Sequence, residues 1–261
     1  MPVAGGIHYE WHGDEGAPPL ILSSGLGGLA SYWEPNLLAL ADDYRVLVYD
    51  HRGTGQSERK VLGAMTVEAM AQDVADLLDE LALDEPPAFV GHALGGLIGL
   101  ALAIAQPGRL QRLMVVNGWA SLDPHTARCF DTRLALLRDS GPRAYLHAQP
   151  LFLFPPAYIS RNDAALLRAE VEQIEHFPGQ ETVERRIHAV RTFDPGPGLG
   201  AINIPVMCLA ADDDMLVPAA ASELLADAIP GAKLASMTWG GHACNVTRPD
   251  DFNARVADWL R

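Results

Sequence analysis

Phe89-Val90-Gly91-His92-Ala93-Leu94-Gly95-Gly96 is the stretch that decides the fold. It opens on a short apolar run with strand character. The run that follows it, as far as Ala105, is apolar on every side, as a buried helix is. Glycines stand at 91 and 95, two residues either side of Ala93, where they relieve the crowding of a tight turn. A strand, a sharp turn and a helix at this spacing form a nucleophile elbow, whose central residue usually carries the attacking hydroxyl. Here that residue is Ala93, and a methyl group can neither be deprotonated nor form an acyl-enzyme. Either the chain works without a serine nucleophile, or alanine has replaced one. His92 is expected to support the site while pointing away from it.

Working outward, short apolar runs alternate with amphipathic stretches. Strands are predicted over 19–23, 44–49, 88–90, 113–116, 206–211 and 233–238, and helices over 66–81, 95–106, 219–228 and 251–260. In the first helix Val67, Met70, Val74, Leu77, Leu78 and Leu81 fall three and four apart and form one stripe. This alternation predicts an α/β fold, with an eight-stranded, mostly parallel sheet covered by helices on both faces. The rhythm breaks over 120–200, which is rich in helical patterns and prolines and ends on Asp194-Pro195-Gly196-Pro197-Gly198-Leu199-Gly200. We read 1–119 and 201–261 as the core and 120–200 as an inserted helical cap.

Composition narrows the partners. The chain has 261 residues, 49% hydrophobic and 20% charged, which suits a full buried core. Its formal net charge of −14 argues against nucleic acid and against an anionic membrane surface, and leaves a small molecule as the expected partner. The N-terminus lacks the basic start and apolar run of a signal peptide, and no apolar stretch is long enough to span a bilayer. Cys129, Cys208 and Cys244 are too far apart in sequence to suggest a metal site or a disulfide framework. The expectation is a cytoplasmic protein with reduced thiols and no metal or cofactor. Oligomeric state stays open, a homodimer included.

Three further features follow predicted strands, where sites form in open α/β sheets. Ser24-Gly25-Leu26-Gly27-Gly28 is a glycine-rich turn whose amides are suited to hold a developing oxyanion, with Leu26 and Leu94 as the donor pair. In Asp212-Asp213-Asp214-Met215-Leu216-Val217-Pro218 the spacing to Val-Pro selects Asp214 as the carboxylate that orients a histidine. Gly240-Gly241-His242 then supplies the base. The chain order nucleophile position, acid, histidine is that of a hydrolase triad. Candidate substrate contacts are Ser24, Asn117, Trp119, Arg128 and Arg133, the arginines as partners for a carboxylate, although five residues apart they do not share a helix face closely. Phe152 and Phe154 are candidates to line or cover the pocket, whereas Ser23 and Cys244 read as a hydrogen-bonding residue and a buried thiol.

Two resemblances bear on these residues. Asp50-His51-Arg52-Gly53-Thr54-Gly55-Gln56-Ser57 is similar to the Asp-x-Arg-Gly-x-Gly-x-Ser loop of the α/β-hydrolase superfamily, a loop that shapes the core. Gly241-His242 followed by Pro249 resembles that superfamily's histidine loop, with Thr247 where a glutamate is usual. More closely, Asn117-Gly118-Trp119, His125-Thr126, Arg128-Cys129-Phe130, 148–153 and 240–247 resemble the RutD family, and so does the elbow with its alanine. That resemblance implies a C–N hydrolase of pyrimidine (uracil) catabolism, acting on 3-aminoacrylate or carbamate and releasing ammonia. Both are substrates that water can attack directly, so His242, oriented by Asp214, would activate a water beside Ala93. The competing readings are a serine esterase or amidase whose nucleophile has been replaced, a non-catalytic binding module on a hydrolase fold, and a cofactor-free oxygenase.

Overall fold

The computed structural model describes residues 2–261. The chain runs β1 (Val3–Ala4), β2 (Ile7–His12), β3 (Pro19–Ser23), α1 (Glu34–Ala41), β4 (Arg45–Tyr49), α2 (Val67–Leu81), β5 (Ala88–His92), α3 (Leu94–Ala105) and β6 (Arg112–Val116). Three helices follow with no strand between them: α4 (Pro124–Leu153), α5 (Pro156–Glu175) and α6 (Gln180–Thr192). The alternation resumes with β7 (Val206–Ala211), α7 (Ala219–Ala228), β8 (Lys233–Met237), the short α8 (Cys244–Thr247) and α9 (Pro249–Leu260).

The eight strands form one sheet in the order β1-β2-β4-β3-β5-β6-β7-β8. β1 with β2 and β2 with β4 are antiparallel, and every other pair is parallel. The central strands are apolar on both sides because helices cover both faces. Side chains alternate across the strands and so feed two cores. Ile21, Leu47, Phe89, Leu113 and Val115 pack on one face, with α2 and α3 residues such as Val74 and Leu97. Leu20, Leu22, Val46, Val48, Val90 and Met114 pack on the other, with Trp33, Phe252 and Val256.

Helix starts and stops follow local chemistry. α2 begins where the Thr66 side chain accepts from the Ala69 amide at 3.1 Å, and its buried stripe includes Val67, Met70, Val74, Leu77 and Leu78. α4 is broken at Gly141, whose φ of 81° lies outside the helical region. Elements read from residue patterns agree with these bounds to within two residues. β1, β2 and α1 are absent from that reading. β2 spells Ile-His-Tyr-Glu-Trp-His and is only partly buried, and α1 is a short segment containing Pro35 and Asn36, so neither shows a clean apolar period.

The elbow is the tightest point of the sheet. Ala93 has φ 48° and ψ −113°, outside the regions that residues with a Cβ favour. A Cβ on Gly91 would lie 2.3 Å from the Gly95 carbonyl oxygen, and one on Gly95 would lie 2.1 Å from that of Ser23. Gly95→Ala is therefore expected to destabilise the protein by about 2–3 kcal/mol, because backbone and not a flexible side chain must give way. Gly200→Ala, which meets nothing within 4 Å, should stay within about 0.5 kcal/mol of the parent. Urea unfolding of the two variants checks both.

His51 and His92 are fully enclosed histidines in this core. Burial, and then the charge of Arg186, hold the pKa of His51 well below 6.5. Burial, and then His242, do the same for His92, against a smaller opposing effect of its hydrogen bond to the His242 carbonyl. Both rings stay neutral in the folded chain but protonate in the unfolded chain near their ordinary value. The unfolded state thus binds more protons on acidification, and stability should fall as the pH drops below 6.5, by up to about 1.4 kcal/mol per pH unit for each ring. Urea midpoints measured between about pH 5 and pH 8 should be flat at the upper end and decline at the lower.

Candidate active site

Several of the residues singled out above converge at the carboxyl ends of β3, β5, β6, β7 and β8, around a cavity of about 320 Å³. Ser24 and Leu26 come from the turn after β3, Ala93 and Leu94 from the elbow, Trp119 from the segment after β6, and His242 from the loop after β8. Helices α4 and α6 and the segment after α5 close the opposite side with Phe130, Arg133, Tyr145, Phe177 and Val183 among others.

His242 and Asp214 form a buried pair. Nδ1 of His242 lies 2.7 Å from Oδ2 of Asp214. The other carboxylate oxygen, Oδ1, accepts from the amides of Leu216 at 2.8 Å and Val217 at 3.0 Å. Spacing to Val217-Pro218 selects Asp214 for this reason: the turn that follows it folds back and donates to the same carboxylate. With Nδ1 engaged by the acid, Nε2 of His242 is the ring nitrogen left for a reacting group. Asp213 has a different task. Its Oδ1 accepts from the amides of Gly240 at 2.9 Å and Gly241 at 2.8 Å, which pins the loop carrying the histidine. Asp212 is exposed.

The carbonyl of His242 is held from below. His92 Nε2 lies 2.8 Å from it, and Asn117 Nδ2 donates to it at 2.8 Å. The Asn117 Oδ1 in turn accepts from the Ala211 amide at 2.8 Å, which ties the ends of β6 and β7 to the histidine loop. Asn117 thus braces the loop that carries His242 and does not line the cavity, contrary to its expected place among the substrate contacts. His92 also departs from expectation. It lines the cavity beneath the site, with its ring 4.6 Å from that of His242 and 5.0 Å from that of Tyr32. The close approach of Gly25, whose added Cβ would fall 2.9 Å from His92 Nδ1, is what admits this ring.

No acceptor among the described residues takes the amides of Leu26 and Leu94, which leaves both donors for a ligand. The turn bearing Leu26 is fixed by a residue that sequence reasoning passed over. Arg186 on α6 is fully buried and donates to the carbonyls of Leu26 and Gly27, each at 3.2 Å, and of Arg52 at 3.0 Å. Burial lowers its pKa to about 10. In the sequence Glu184-Arg185-Arg186 looks like an ordinary solvated helix face, so no local signal betrays it.

The remaining candidates divide. Ser24 and Trp119 line the cavity, and the Ser24 hydroxyl and Trp119 Nε1 have no partner among the described residues. Arg133 lines it too, whereas Arg128 is exposed on the outer side of α4. Five residues at about 100° each turn a helix by roughly 140° beyond a full circle, so the two arginines face apart. Phe152 is buried beside Arg133, and Phe154 packs on Tyr158 outside the cavity lining. Ser23 bonds Tyr49 at 2.7 Å. The Cys244 thiol is buried, and burial, with Asp214 second, pushes its pKa to about 12, so it is no nucleophile at neutral pH. Among the described residues no group of three or more His, Cys, Asp or Glu is arranged to hold a metal ion, and no helix is long and apolar enough to cross a membrane.

Known proteins agree with this architecture. A family model for the alpha/beta hydrolase fold matches residues 18–249. A protein of Caulobacter sp. (strain K31) bearing the name "Putative carbamate hydrolase RutD" is 48% identical over 257 residues, covering 98% of this chain and 96% of its own. One of the same name from Agrobacterium fabrum (strain C58 / ATCC 33970) is 46% identical over 256 residues, covering 97% and 98%. Among solved structures, the enol-lactonase from Burkholderia xenovorans LB400 superposes with a TM-score of 0.88 at 30% identity over 98% of both chains. The chain belongs to the alpha/beta hydrolase fold family and, within it, to the RutD proteins.

Proposed function

We propose that this chain is a C–N hydrolase of pyrimidine catabolism that acts on 3-aminoacrylate or carbamate, releases ammonia, and uses a water activated by His242 in place of a serine. The observation that carries the reading is the 2.7 Å bond between His242 and Asp214 facing an elbow whose central residue is Ala93. The base half of a triad is complete beside a side chain that cannot attack. The name carried by the RutD relatives supports the reaction class. In this reading 1–119 and 201–261 form the catalytic core and 120–200 is the cap that closes over it.

The chemistry balances without a covalent intermediate. 3-Aminoacrylate tautomerises to an imine. His242 Nε2 takes a proton from a water lodged where a serine hydroxyl would lie, and the oxygen adds to the imine carbon. The imine nitrogen takes up a proton from solvent and the adduct is a carbinolamine. The carbinolamine hydroxyl then gives its proton to solvent as the aldehyde of the 3-oxo acid forms, the C–N bond breaks with its electron pair going to nitrogen, and His242 returns its proton to the departing ammonia. Asp214 keeps the imidazole in the tautomer that leaves Nε2 free and stabilises the imidazolium. The amides of Leu26 and Leu94, which no acceptor among the described residues takes, would hold an oxygen of the substrate. Such general-base help is worth about 10²–10⁴-fold, which suits a reaction that is already fast in water.

The test is ammonia release from freshly generated 3-aminoacrylate, and in parallel from carbamate, after subtraction of the spontaneous rate. His242→Ala should lower the enzymic rate roughly a hundredfold or more. Asp214→Asn should also impair it through the imidazole tautomer. Parent rates in both variants would discard the reading and favour a binding module. On activated esters the parent should be inert and form no acyl adduct by mass spectrometry, while Ala93→Ser should acquire measurable turnover. Its level should stay low, since groups of one catalytic unit act non-additively.

A further inference from the structure

Arg133 is a buried charge with no ion-pair partner among the described residues. α4 carries it into the cavity wall, where it is 4% exposed. Its Nη2 donates to the Tyr145 hydroxyl at 2.7 Å and reaches Gln149 Oε1 at 3.5 Å; Nε is buried without a partner, and Nη1 makes no hydrogen bond among the described residues. Three aromatic rings surround it, with the Phe130, Tyr145 and Phe152 centroids 6.0, 5.1 and 5.7 Å from its guanidinium carbon. The chain holds 33 acidic residues against 19 lysines and arginines, yet no carboxylate among the described residues pairs with Arg133 and none lines the cavity. Arg186 shares the unpartnered Nε but spends both terminal nitrogens on three backbone carbonyls, whereas only one terminal nitrogen of Arg133 is engaged. A guanidinium taken out of water without an anion is costly, and one left with an unused donor on a cavity is set up to meet that anion in a ligand.

We propose that Arg133, with Tyr145 and Gln149, is the carboxylate anchor of the cavity, and that the cavity selects short monocarboxylates. The planar fork of arginine matches a carboxylate, and Nη1 is the terminal nitrogen that the protein leaves unengaged. One arginine and no lysine line the cavity, so one carboxylate is matched and a second is not. Trp119, Phe130 and Leu146 make the adjoining wall apolar. The assignment rests on the hydrolase reading only in taking this carboxylate to be the substrate's; the anion site itself stands on the geometry of Arg133.

Binding of crotonate and of its neutral isostere crotonamide to the full chain, measured by calorimetry or ligand-observed NMR, tests the anchor without turnover. The parent should bind crotonate at least about tenfold more tightly than crotonamide. Arg133→Gln should bind both alike, its retained crotonamide binding reporting an intact cavity, and Tyr145→Phe should weaken crotonate only a few-fold. Should Arg133→Gln not fold, Tyr145→Phe and the parent's own preference decide. Equal affinity of the parent for the two probes, or an undiminished preference in Arg133→Gln, overturns the proposal. His242→Ala should bind crotonate as the parent does while losing turnover. Loss of turnover without any crotonate preference would therefore sink the anchor alone, and the preference without His242-dependent turnover would sink the hydrolase reading alone.

Discussion

The contact on which the molecule turns is the backbone packing at the elbow. Gly95 lies so close to the carbonyl of Ser23, and Gly91 to that of Gly95, that no side chain fits at either place. This lets β5 pass into α3 within one residue and holds Ala93 at φ 48°. The same approach sets the amide of Leu94 beside the turn after β3. A strained backbone costs on the order of 1–3 kcal/mol and persists only where its surroundings fix it. Here it persists around a methyl group, so the elbow shapes the floor of the cavity whether or not a hydroxyl is present.

Above that floor the site is held by loops that brace each other. The histidine loop is fixed by Asp213 through two amides, by Asn117 and His92 through one carbonyl, and by Asp214 through the ring. Asn117 reaches this position because its φ of 50° turns the chain sharply at the end of β6. The helices over the site join the same network. Arg186 on α6 fixes the turn after β3, so the geometry of the Leu26 amide depends on a residue distant from it in sequence. Any shift of α6 relative to the sheet is transmitted to that turn.

Charge is distributed with equal economy. The surface is acidic, as the net charge of −14 requires, while the cavity has no carboxylate and one arginine. Near a buried cation with few competing acids, a small anion is favoured even in a strongly negative protein, because the local Coulomb interaction in a low-dielectric cavity outweighs a screened distant field.

The sheet, its helices and the central triad positions were legible in the sequence, because they rest on local signals. Five-residue apolar runs, the three-and-four spacing of α2, glycines two residues either side of Ala93, and the interval from Asp214 to Pro218 each state their own geometry. Short-range steric and hydrogen-bond rules suffice for these. Which way a polar side chain faces, when it belongs to no period, was settled by how the elements pack. Asn117 turned out to brace the loop that carries His242, His92 lies against His242, Arg128 points to solvent and Arg133 inward, and Arg186 vanished into the core. In each case the deciding partner lies tens of residues or more away, or the decision depends on how a whole helix rotates against the sheet. Packing of elements fixes such choices, and no window of sequence contains them.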